Sequence, residues 1–265
     1  MPRLTRNVLL LLALLITISL TFLEAVIGLV TFLVPILLFL YLYLARPKFL
    51  NQFSYWKKIL AEKGYLPRFV GSLVFLSLAY VIWFFLSRYV EATSGPPLPD
   101  IILDSLEPIN LGLLVVPLNR LCAAAIIMYP IFIRPTKAPF VLKAISLLLV
   151  IRAIAMSLTH LGLPVGRIPD EASMIHVEAI NISKDLFFSG HVSFAFMGYL
   201  LLRKDKIVNY FLLTSTLVLS FAVLAMHLHY TIDVIAAFFF TYGAYMMAAY
   251  FFRKDYRLYN YAAKD

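Results

Sequence analysis

Residues 187–252 read FFSGHVSFAFMGYLLLRKDKIVNYFLLTSTLVLSFAVLAMHLHYTIDVIAAFFFTYGAYMMAAYFF. Three apolar runs, 187–202, 207–226 and 230–252, are separated by the basic break Arg203-Lys204-Asp205-Lys206 and by a short turn holding His227 and His229. Runs of this length approach the roughly 20 residues a helix needs to cross a hydrocarbon layer of about 30 Å. In such a layer a helix satisfies its own backbone groups, so consecutive apolar runs with polar turns dictate antiparallel spans.

The same pattern extends upstream. Spans are expected at 69–90, 111–133 and 138–160, and residues 7–46 are almost uncharged, with Glu24 interrupting the run. Forty helical residues would reach about 60 Å, twice the hydrocarbon thickness. Residues 7–46 are therefore read as a hairpin, 7–23 and 26–46, turning near Glu24. A cleaved leader ending near Ala25, with Arg3 and Arg6 at its start, is the competing reading. The expected organisation is an N-terminal transmembrane hairpin (1–46), a basic interfacial linker (47–68), a six-span core (69–252) and a tail (253–265). The fold class is an all-α polytopic membrane protein of about eight spans.

Composition agrees. Of 265 residues, 62% are hydrophobic and 14% charged, against about 25% charged in soluble domains. The net charge of +9 is read as cytosolic enrichment of Lys and Arg. No basic patch is interleaved with aromatics on a polar face, so nucleic acid is not an expected partner. Cys122, the single cysteine, allows no intrachain disulfide. Loop 92–110 holds Asp100, Asp104 and Glu107 without a basic residue, and loop 161–186 has four acids to two bases. The other connections carry Arg134, Lys137 and Lys143, then Arg203, Lys204 and Lys206, and the tail carries Arg253, Lys254 and Arg257. The alternation places both termini in the cytosol and the acidic loops outside.

All five histidines (160, 176, 191, 227 and 229) fall on the expected outer face. In Ser189-Gly190-His191, at the start of a span, free backbone N–H groups favour an anion. Ser189 adds a hydroxyl, Gly190 lets a phosphate approach closely, and His191 can give a proton to a leaving oxygen. By itself Ser-Gly-His is also an ordinary N-terminal turn. In His229-Tyr230-Thr231-Ile232-Asp233 the histidine and carboxylate lie four residues apart and would share a helix face. Asp233 would then fix the His229 tautomer and strengthen its other nitrogen as a nucleophile. A purely structural His–Asp pair is the bland alternative. A metal set of His227, His229 and Asp233 is another, though residues i and i+2 of a helix point apart. Arg120 and Arg152 lie inside spans, roughly 12–14 Å below the outer boundary. Arginines at that depth need anionic partners, and a phosphodiester or a carboxylate on a neighbouring span would serve.

These residues resemble a known family. Asp185 with Phe188-Ser189-Gly190-His191, and His229-Tyr230-Thr231-Ile232-Asp233-Val234, are similar to two signature blocks of sphingomyelin synthases. Arg152-Ala153-Ile154-Ala155-Met156-Ser157-Leu158-Thr159 with Leu163-Pro164-Val165 looks like another block, and Pro96-Pro97-Leu98-Pro99-Asp100 with Asp104 like the first. That family lies within the type 2 phosphatidic acid phosphatase superfamily, whose phosphatases carry a Lys-x6-Arg-Pro motif. Here neither Arg46-Pro47 nor Arg134-Pro135 has the lysine, and Val223 stands where those phosphatases have an arginine. Lys184 and Val192 replace residues usual in the synthases, and Gly162 looks like part of an insertion.

The resemblance implies a six-helix core and head-group transfer from a glycerophospholipid to a ceramide-like alcohol. The intermediate would be a phosphohistidine on His229, with His191 as acid and base and Asp233 as the bracing carboxylate. Arg152, Arg120, Ser189, Gly190 and Tyr230 would bind substrate, and Asp185 would orient a histidine or bind substrate. No metal and no cofactor is expected. The partners would be membrane phospholipids, ceramide-like lipids and diacylglycerol, with a homo-oligomer left open. A lipid phosphatase or phospholipase C-like hydrolase would use the same three residues. A non-catalytic transporter or scramblase would instead favour internal repeats and helices broken at mid-membrane.

Overall fold

The computed structural model describes residues 56–62, 64–93, 95–169 and 183–261. The expected hairpin at 7–46, residues 47–55 of the linker, His176 and the end of the tail lie outside the described residues.

The protein is an all-α polytopic membrane protein. Five helices are long and apolar enough to cross a bilayer, and a sixth apolar helix is shorter. They are α1 (Tyr65–Thr93), α2 (Gly112–Met128), α3 (Ala138–Thr159), α4 (Gly190–Leu201), α5 (Lys206–Ala225) and α6 (Thr231–Phe251), followed by a short α7 (Arg253–Tyr261). A π-helical turn, Tyr129–Ile133, extends α2. Pro130 within it lacks the N–H that a regular helix would need.

Hydrogen bonds between connections show which helix ends meet. Gly95 N donates to His160 O (2.7 Å), Ile109 N to Ala225 O (2.7 Å) and Ser189 N to Asp233 O (3.1 Å). The C-termini of α1, α3 and α5 therefore lie with the N-termini of α2, α4 and α6. At the other end Tyr65 Oη donates to Pro135 O (2.8 Å), Tyr129 pairs with Asp205, and Lys143 pairs with Asp255. The helices alternate in direction, as the short polar connections require.

Helix α3 is central: 56% of its most apolar window is buried, against 11% for α1. Phe140, Leu148, Met197, Leu219 and Ala237, from α3, α4, α5 and α6, share one fully buried core. Helix α1 packs along α3 through the buried Ser72, Ala79 and Ser87, small residues that let two backbones approach. Its opposite face leaves Val74, Leu78 and Phe85 exposed among the described residues.

Three boundaries differ from expectation. Helix α1 begins at Tyr65, so Arg68 belongs to it and not to a linker. Residues 253–261 of the expected tail form a helix packed on the core. The expected span at 187–202 is helical only over Gly190–Leu201. Twelve residues rise about 18 Å, too short to cross the hydrocarbon. The stretch 183–189 enters the bundle as non-helical chain, and the site is built around it.

Candidate functional site

Non-helical backbone inside a membrane protein must find hydrogen-bond partners in the protein. Arg152, on α3, supplies them. Its Nε donates to Phe188 O (2.8 Å), Nη2 to Asp185 O (3.0 Å) and Nη1 to Asp185 Oδ2 (2.5 Å). Trp83 Nε1 donates to the same carboxylate oxygen (3.0 Å). Just upstream, Glu91 accepts from Ser183 N, Ser183 Oγ and Lys184 N, all within 2.9 Å. The segment is thus tied to α1 and α3 before α4 begins.

One oxygen of Asp185, Oδ2, is engaged by Arg152 and Trp83. The buried Arg152 finds its anion in Asp185, leaving one N–H on each terminal nitrogen for any further acceptor. Gly190 has a second role beside the one expected. A Cβ there would sit 3.2 Å from Arg152 Cζ, so the missing side chain makes room for the guanidinium.

Ser189 is the N-cap of α4 and is fully buried; its Oγ accepts from Val192 N at 3.5 Å and its carbonyl from Ser193. His191 follows in the first turn. A few ångströms away, the turn between α5 and α6 carries His229. That turn is short because α5 ends in a compact motif: His227 N donates to Leu224 O and Leu228 N to Val223 O, with His227 in the left-handed region (φ 51°). The His227 ring turns to Val165 O, 2.7 Å away.

Tyr230 caps α6, so His229 precedes the helix and Asp233 is its third residue. The expected shared helix face is therefore not what pairs them. Asp233 Oδ2 turns back to accept from Tyr230 N (3.0 Å), a capping box, and this carries it to 3.5 Å from His229 Nδ1. That separation is the outer limit of a hydrogen bond. His229 Nδ1 and Asp233 Oδ1 are buried and make no other hydrogen bond among the described residues. The His191 and His229 ring centroids lie 5.9 Å apart, with planes at 70°.

Two helix N-termini thus converge, each presenting a histidine. The bond from Ser189 N to Asp233 O joins the N-cap of α4 to the first turn of α6. In α6 the first amide, Thr231 N, is already taken by Asp100 and Asp233 N by Tyr230 O, so it is the N-terminus of α4 that favours an anion. Burial pushes the His229 pKa down; Asp233 opposes this, while the positive fields of His191 and Arg152 add to it. Its neutral form, with a nucleophilic lone pair, is favoured.

Tyr230 is 2% exposed. Its hydroxyl accepts from Leu98 N (2.9 Å) and donates to Gly162 O (2.9 Å). It ties the loops at Leu98 and Gly162 to the start of α6. Gly162, expected as part of an insertion, lies so close to Pro96 that a Cβ would fall 2.4 Å from its carbonyl carbon. Asp100 anchors the start of α6. Its carboxylate accepts from Thr231 N (2.7 Å) and Thr231 Oγ1 (2.8 Å), next to His229, and from Ile102 N and Leu103 N. Burial raises its pKa, but these donors outweigh it and the net shift is downward. Arg120 is half-buried on α2. Among the described residues no three His, Cys, Asp or Glu side chains are grouped to hold a metal ion.

Residues 184–250 match the family model described as PAP2 superfamily C-terminal. The match runs from the segment held by Arg152 to the end of α6 and contains His191, His229 and Asp233. It supports a place in the PAP2 superfamily and, with it, phosphatase- or phosphotransferase-type lipid chemistry. No curated protein matches the chain.

Proposed function

We propose that the protein is a phospholipid head-group transferase working through a phosphohistidine. The observation that carries this reading is the 5.9 Å approach of the His191 and His229 rings at two converging helix N-termini. A phosphoryl group between them meets a nucleophile on one side and a proton donor on the other, at the separations of roughly 3–3.5 Å that reaction requires.

His229, its Nδ1 turned to Asp233, attacks phosphorus through Nε2. The bond from phosphorus to the diacylglycerol oxygen breaks, and His191 gives that oxygen its proton. In the second half His191 takes the proton of a primary lipid hydroxyl, whose oxygen attacks phosphorus and releases His229. One difficult displacement becomes two easier ones. The N-terminus of α4 and the unused N–H groups of Arg152 offset charge as it develops on the phosphoryl oxygens. Arg120 is proposed as a further contact for the head group. The site faces the side of the membrane away from the cytosol, with both termini cytosolic, as the charge pattern of the loops indicates.

The acceptor is proposed to be a ceramide-like alcohol and the transferred group phosphocholine or phosphoethanolamine. This rests on the motif resemblance and on the missing Lys-x6-Arg-Pro and Val223. The test is product analysis by mass spectrometry of purified protein given labelled phosphatidylcholine and phosphatidylethanolamine, with and without ceramide. Head-group transfer that depends on ceramide and vanishes in His229→Ala is expected. Release of free phosphocholine or phosphate at the same rate without ceramide would replace the transferase with a hydrolase. Full activity in His229→Ala would remove the nucleophile.

A further inference from the structure

The end of the bundle opposite the histidines carries a second feature. Helix α7 leaves α6 after Phe252 and folds against the core. Tyr256 and Tyr259 pack on Phe140, with ring centroids 5.0 Å away in each case. Asp255 turns inward to Lys143 (2.6 Å), where 7% of its side chain is exposed. With its acid and aromatics facing in, α7 presents Arg253, Lys254 and Arg257 outward, all exposed. Together with Arg68 of α1 they line an open groove of about 1020 Å³ in which no lining residue is acidic among the described residues. Its other wall is the exposed face of α6, with Met246 50% and Tyr250 63% accessible. The Arg253 guanidinium lies over the Tyr250 ring, 4.7 Å from its centroid.

We infer that this groove binds an acidic phospholipid, its phosphate among Arg253, Lys254 and Arg257 and its acyl chains along Met246 and Tyr250 of α6. The shape carries the argument: an apolar wall running into the span, ending in a cluster of cations at the depth of lipid head groups. Charge complementarity selects the occupant. Residues 1–55 contain one carboxylate, Glu24, against several cations, so that segment cannot neutralise the groove. Asp205, the acid in the neighbouring basic connection, is engaged by Tyr129. Juxtamembrane Lys and Arg side chains each add appreciably to binding of an anionic leaflet. The inference is independent of the proposed reaction, because it concerns binding at the other end of the helices.

The test uses the full chain in detergent micelles. Binding of phosphatidylglycerol and of phosphatidylcholine with the same acyl chains is titrated by native mass spectrometry. Wild type is expected to prefer phosphatidylglycerol by tenfold or more. The triple variant Arg253→Gln, Lys254→Gln and Arg257→Gln should weaken phosphatidylglycerol binding about a hundredfold, at roughly fivefold per cation. Lys206→Gln, at the same end but outside the groove, should change it less than about twofold on the same scale. Comparing wild type with the triple variant cancels any lipid held near the histidines. If the triple variant does not fold, Arg257→Gln alone should show the fivefold step. Equal binding of the two lipids, an unchanged triple variant, or an equal loss in Lys206→Gln would each overturn the inference. So would full displacement of the lipid by inorganic phosphate, which would mark an anion site without lipid recognition.

Discussion

Asp233→Asn separates the two tasks of one carboxylate. Asp233 caps α6 through Tyr230 N at 3.0 Å and faces His229 Nδ1 at 3.5 Å. Asparagine keeps an acceptor oxygen for the cap, so the helix should lose at most a few tenths of the roughly 1 kcal/mol a cap supplies. It removes the negative charge. A unit charge pair 3.5 Å apart at an effective dielectric of about 20 is worth about 5 kcal/mol. If a transition state develops half to all of the positive charge on His229, the variant should turn over about 50-fold to about 3,000-fold more slowly. Asp233→Ala should be as slow and also lose about 1 kcal/mol of stability. The assays are turnover of labelled phospholipid by purified protein and thermal unfolding in the same micelles. Turnover of the asparagine variant within about threefold of wild type would refute the bracing role. Equal destabilisation by asparagine and alanine would refute the capping argument.

Burial holds the His229 pKa below its ordinary value, so kcat/KM should be level near neutral pH and fall on the acid side with a midpoint under about 6.5; a midpoint above that value would contradict it. By linkage, the folded state prefers neutral His229, so its contribution to stability is complete above the unfolded pKa and is lost as pH drops below it. Asp100→Ala removes the acceptor for Thr231 N and Thr231 Oγ1 and should cost about 1–2 kcal/mol in thermal unfolding, with kcat reduced more than KM raised, while Asp100→Asn should recover much of both. Gly190→Ala places a Cβ 3.2 Å from Arg152 Cζ and should destabilise by about 1–3 kcal/mol, read as a lowered Tm. Incubation with EDTA should leave turnover unchanged; loss that a divalent ion restores would bring metal chemistry back.

Much of the fold was legible because hydropathy is a local sum. The apolar runs that became α3, α5 and α6 read almost to their ends, since bilayer thickness and backbone satisfaction leave a helix as the only solution. The same sum failed at 183–189. Leu186, Phe187 and Phe188 are as apolar as the helix they precede, and hydropathy does not register whether a carbonyl is satisfied by its own helix or by an arginine. Arg152 was legible as an arginine that needed an anion. That the anion is Asp185, and that Nε reaches Phe188 O across 36 residues, is a long-range fact with no local trace.

Spacing alone set His229 and Asp233 one turn apart and put His191 at the start of a helix. The polar residues of the candidate site, and that they sit in an apolar chain, were therefore written in the sequence. Tertiary structure decided the rest: that His229 stands ahead of its helix, that a capping box brings Asp233 to it, and that two helix ends 5.9 Å apart by their rings meet below the surface. It also spent Tyr230 and Asp100 on holding loops together. The physical reason is that residue type and short-range period determine what a segment can do. Depth, partner and direction come from contacts between segments distant in the chain, which only packing selects.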